Sequence, residues 1–123
     1  MSSIPSDFFQ PMPHMRPLYE TLVSRIFQRI DQLTIDEQHG QIIFRKKRNF
    51  ASVSLPSLRI EGRPEQYIAI SFVLNHRIEH PHIAEAAEPY PQRWSHQVII
   101  ASPEDIDEQL LAWIEEACAF AQR

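Results

Sequence analysis

Apolar side chains recur at helical spacing early in the chain: Tyr19, Leu22, Val23, Ile26, Phe27, Ile30 and Leu33, with Arg25, Arg29 and Asp31 off the stripe. This period predicts an amphipathic helix packed on one face, with Pro17 suited to its first turn. At Thr34 the period changes to that of strands. His39-Gly40 separates Thr34–Gln38 from Gln41–Arg45 as in a hairpin, and Asn49–Leu55 reads as a third strand. Gln66–Asn75 carries the clearest alternation, with Ile68, Ile70, Phe72 and Leu74 on one face and Tyr67, Ala69, Ser71 and Val73 on the other. Residues 76–92 hold three prolines and read as a long connection, followed by a fifth strand at Trp94–Ala101.

The last element carries its own start signal. Ser102 suits an N-cap, Pro103 a first helical position, and Asp105 stands where a capping box needs an acid. Ile106, Leu110, Trp113, Ile114, Ala117 and Phe120 then form a buried stripe. Pro5, Pro11 and Pro13 make residues 1–16 an extended arm anchored by Phe8 and Phe9, ahead of one domain at 17–123. The expected fold is α+β: an N-terminal helix, an antiparallel sheet of about five strands and a C-terminal helix. Short links favour a meander with both helices on one sheet face.

Composition narrows the functional classes. Hydrophobic residues make up 43% and charged residues 23% of the chain, an ordinary globular balance. There is no run long enough to span a membrane and no secretory start, and the single cysteine, Cys118, fits a reducing cytoplasm. A net charge of −4 gives the molecule as a whole no attraction for nucleic acid. With two glycines in all, a glycine-rich nucleotide loop is excluded, and the sequence predicts no cofactor. No nucleophile elbow or HExxH appears, so the reading leans away from an enzyme.

Three clusters hold candidate chemistry. Arg93, Trp94 and His96 lie close together, with a guanidinium for an anion and an indole for an apolar wall; Tyr67 and Ser71 are possible wall residues from the neighbouring strand. Alternation with Val98 and Ile100 also permits His96 to be a plain core residue. Arg45, Lys46, Lys47 and Arg48 form a basic run that suits a phosphate backbone, or simply a solvated hairpin tip. His76, His80 and His82 are weak metal candidates, because His80 precedes Pro81 and the spacing needs a helix to bring the rings together.

Several strings resemble one family. RNFASVSL (Arg48–Leu55), YIAISFVL (Tyr67–Leu74) and above all EPYPQRWSHQV with SPEDIDEQL are similar to the domain of unknown function 5655, over roughly Phe8 to Ala121. The resemblance implies the fold and assigns no activity. It also implies an arginine where this chain has His82 and a second histidine where it has Gln97, so a shared site using those groups is altered here. A looser likeness in layout to MmcQ/YjbR-like domains implies a double-wing fold linked to DNA binding.

The leading expectation is therefore a non-enzymatic binding domain, expected to self-associate as a homo-oligomer, for a small anionic molecule or a protein partner. The alternatives are a nucleic-acid-binding accessory domain using residues 45–48 and a structural, oligomerising adaptor.

Overall fold

The computed structural model describes residues 8–38, 40–56 and 60–122. In chain order they form α1 (Met15–Phe27), β1 (Thr34–Gln38), β2 (Gln41–Arg45), β3 (Asn49–Ser54), β4 (Ile68–Leu74), β5 (Ile83–Tyr90), β6 (Arg93–Ile100), a 3₁₀ turn (Pro103–Asp105) and α2 (Glu108–Ala121). The strands make one six-stranded antiparallel sheet in the order β1-β2-β3-β4-β6-β5. The class is α+β, with both helices on one face.

Strand alternation dictates that face. Ile68, Ile70, Phe72 and Leu74 stand opposite Ile100, Val98, His96 and Trp94 on β6, while Ala51 and Val53 stand opposite Phe72 and Ile70 from β3. Together with Ile35, Ile42 and Phe44 they meet Leu22 and Ile26 of α1 and Leu110, Ile114 and Ala117 of α2 in one core. Phe9 is buried ahead of α1, its ring 5.3 Å from that of Tyr19. Arg25 of α1 pairs with Glu108 of α2 at 3.0 Å, and Arg29, just past α1, pairs with Glu108 and, at 2.9 Å, with Glu115.

Three details depart from the sequence pattern. The stretch read as a long connection contains a sixth strand, β5, which pairs with β6 at the edge of the sheet. It escaped detection because an edge strand exposed over most of its length carries no alternation. The apolar stripe that runs to Leu33 outlasts its helix: α1 stops at Phe27, yet Ile30 and Leu33 remain buried in the following turn. Gln32 there takes φ 58°, which turns the chain into β1.

Third, the helix start is double. Asp105 closes a capping box with Ser102, but only over the 3₁₀ turn. The α-helix begins afterwards, capped by Asp107, whose carboxylate accepts from the Leu110 N–H at 2.8 Å. Each short acid thus satisfies amides that a single helix start would have left to one cap. The β1–β2 hairpin has the expected limits, with Gly40 at φ 75°; His39 lies outside the described residues.

Candidate ligand groove on the open sheet face

The sheet face turned away from the helices is lined by side chains that alternate with the core set. Ser52 of β3 stands directly opposite Ser71 of β4, and Val73 stands opposite Ser95 of β6. The β3–β4 ladder ends at Ala51–Phe72, while β4 and β6 stay paired to Leu74–Trp94. Where β3 leaves β4 the sheet opens, and Phe120 and Ala121 at the end of α2 come up beside the opening.

The result is a groove of about 390 Å³. Ser52, Ser71, Val73 and Ser95 contribute to its lining; Ile43 and Phe50 border it on the β2–β3 side, and Pro89 and Tyr90 on the β5–β6 side. That volume lies within the range of small-molecule sites. Arg93 belongs to the lining too, with its guanidinium carbon 5.5 Å from the centre of the Phe120 ring. A cation held over an aromatic face keeps its charge and its outward hydrogen-bond donors. Among the described residues no carboxylate pairs with Arg93, and none lines the groove.

The predicted site residues divide. Arg93 and Ser71 line the groove, whereas the strand period turns Trp94 and His96 to the helix side. Tyr67 shares the open face but is buried farther along it, where the Arg63 guanidinium reaches the Tyr67 hydroxyl, Gln97 and, at 2.8 Å, Glu85. That cluster closes the other end of the open face. Phe50, Ser52 and Ser95 complete the groove, and period-two reading of the strands is the signal that gathers them.

His96 is fully buried and stacks on Phe72 with ring centres 5.4 Å apart. Its Nε2 accepts from the Ile78 N–H at 2.9 Å, which leaves the proton on Nδ1. Among the described residues Nδ1 makes no geometrically sound hydrogen bond. Burial depresses its pKa, the neighbouring His76 depresses it further, and the Trp94 and Phe72 carbonyls oppose the shift. This ring is therefore held neutral as an anchor for the β4–β5 connection.

The other histidines belong to the same connection. His76 pairs with Glu116 at 2.7 Å, His80 sets its ring edge-on 5.1 Å from Trp113, and His82 lies 3.5 Å from Asp107. Residues 76–82 thus run back along α2 as a strap. Among the described residues no three His, Cys, Asp or Glu side chains gather to hold a metal ion.

The basic run is split by its own geometry. Arg45 closes β2 and faces away from the helices, while Lys46 turns toward Asp31 at 3.8 Å. The Lys47 and Arg48 amides both donate to Oε1 of Gln122, at 2.9 and 3.0 Å, so this corner is occupied in fastening the end of α2. Cys118 is buried, and burial pushes its thiol pKa up, away from nucleophilic character.

An open antiparallel sheet backed by two helices, with a cation-rimmed groove on its free face, defines the class of domain. The model of the domain of unknown function DUF5655 matches residues 6–121, and the chain belongs to that family. This match carries no information on MmcQ/YjbR-like domains. No curated protein and no solved structure is significantly similar to the chain. Among the described residues no helix is long and apolar enough to cross a membrane.

Proposed function

We propose that this domain is a non-enzymatic binding module that holds a small anionic ligand in the groove of its open sheet face. The observation that carries the reading is Arg93: a guanidinium braced on Phe120, with no carboxylate partner among the described residues, at the rim of a largely apolar recess. Such a group is pre-positioned for an anion, so little side-chain ordering remains to be offset on binding.

The serines support binding rather than catalysis. Ser52, Ser71 and Ser95 line the groove, but no histidine or carboxylate is among its described lining residues, and His96, next to Ser95, faces the opposite side of the sheet. A serine without a base beside it donates and accepts hydrogen bonds and does not become a nucleophile.

An amide-resolved NMR titration with a mixture of small organic anions tests the proposal. Shifts confined to residues 50–52, 71–73 and 93–95 are expected, with binding lost in Arg93→Ala and the melting temperature nearly unchanged. Unperturbed groove amides, or an Arg93→Ala protein that binds as well as the parent, overturn it.

A further inference from the structure

We infer that the ligand of this groove is an amphipathic monocarboxylate: one carboxylate on an aliphatic or aromatic body. The inference rests on the groove being the binding site and adds the chemical class of its occupant. Three observations choose that class. The lining is mainly apolar, from Ile43, Phe50, Val73, Pro89 and Phe120, so the body of the ligand must be content out of water.

The positive charge is single. Among the described lining residues Arg93 is the one cationic side chain and none is acidic. One guanidinium matches one carboxylate through two parallel hydrogen bonds. A phosphate monoester brings nearly two charges and three acceptor oxygens, and it calls for a second cation or a cluster of backbone N–H groups.

Finally, the polar atoms sit where the head group would be. Ser95 lies two residues along β6 from Arg93, opposite Val73, and Ser71 is the neighbour of Val73 on β4. The Ser95 hydroxyl can donate to the carboxylate oxygen that Arg93 leaves free, while Ser71, opposite Gln97, lies farther along the groove floor. Tyr90, 67% exposed at the rim, is the cross-strand partner of Arg93 and offers an aromatic surface beside the head group.

The test uses the full chain and defined probes: decanoate and 4-phenylbutyrate, the neutral analogue decanol, inorganic phosphate and adenosine monophosphate, each titrated by NMR below any micellar concentration. The two carboxylates are expected to shift groove amides and to bind at least about tenfold more tightly than decanol, the size of a charged hydrogen-bonded contact. Arg93→Ala is expected to lose that preference, Arg93→Lys to keep part of it, and Ser95→Asp, which adds a like charge to the lining, to abolish carboxylate binding.

Phosphate or the nucleotide shifting the groove amides while the carboxylates do not overturns the ligand class and leaves the groove as the site. Decanol binding as well as decanoate also overturns the class. Silence of the groove amides toward every probe overturns the site itself.

Discussion

The backbone N–H of Ile78 donates to Nε2 of His96 at 2.9 Å, so a connecting segment is tied to the core through one imidazole nitrogen. The bond exists only while that nitrogen is unprotonated. His96→Phe preserves the stacking surface against Phe72 but removes the acceptor, leaving the Ile78 amide without its partner. A loss of about 1–2 kcal/mol is expected, toward the low end of the cost of an unsatisfied donor because Ile78 is only partly buried. Urea unfolding at neutral pH measures it, and amide exchange at Ile78 should quicken.

The same ring sets an acid limit. Because the folded state holds the His96 pKa below its ordinary value, the unfolded chain binds the proton more readily. Stability is then full above about pH 6.5, the ordinary histidine pKa, and falls as pH drops through the depressed folded value. His76 acts in the opposite sense. Its hydrogen bond to Glu116 raises its pKa, so its contribution is complete below about pH 6.5 and disappears as pH rises through the raised value. A stability curve measured from pH 5 to 8 should lose acid-side slope in His96→Phe and alkaline-side slope in Glu116→Gln.

Phe72 lies between His96 and Trp113, with ring centres 5.4 and 6.2 Å away, and is 1% exposed. Phe72→Ala removes a ring shared by β4, β6 and α2. Its cost is expected at about 3–5 kcal/mol, as for large aromatic deletions in packed cores. Denaturant midpoints give the number directly, and a loss under 1 kcal/mol would show that the neighbours collapse into the space.

Gln122 holds the β2–β3 turn to the end of α2, accepting from the Lys47 and Arg48 amides and donating to the Arg48 carbonyl at 3.3 Å. These bonds are exposed to water, so Gln122→Ala should cost no more than about 1 kcal/mol. Hydrogen exchange is the sharper measurement. The amides of Lys47 and Arg48 are expected to lose protection while those of β4 keep theirs.

The paired acids before α2 predict a graded result. Asp107→Ala removes the cap of the helix itself and should cost about 1 kcal/mol, within the usual range for N-caps. Asp105→Ala frees the Ala101 and Ser102 amides, which donate to its Oδ2 at 2.9 and 3.1 Å. If the two sites are independent, their effects add in the double variant, because each carboxylate serves different amides.

Local patterning was enough for the hairpin turn at Gly40, the buried stripe of α2 from Leu110 to Ala117 (Phe120, read as part of it, turns to the groove instead), the alternation of β4 and the inward direction of His96. In each case a residue's neighbours at two, three or four positions decide which face it takes, and those spacings are written in the chain. The open-face position of Arg93 and Ser71 was also legible, since both alternate away from the apolar set. Grouping Arg93 with Trp94 and His96 ignored that alternation, which sends adjacent strand residues to opposite faces.

Tertiary structure alone decided the rest. β5 exists because β6 offers it a ladder, and nothing in IAEAAEPY marks a strand before that partner is in place. The interposition of β6 between β4 and β5 sends residues 76–82 along α2, and so turns a run of histidines into a strap. The groove depends on where β3 parts from β4 and on how far α2 reaches, both long-range matters. Hydrophobic spacing says which side of an element is buried; it carries no record of which element buries it.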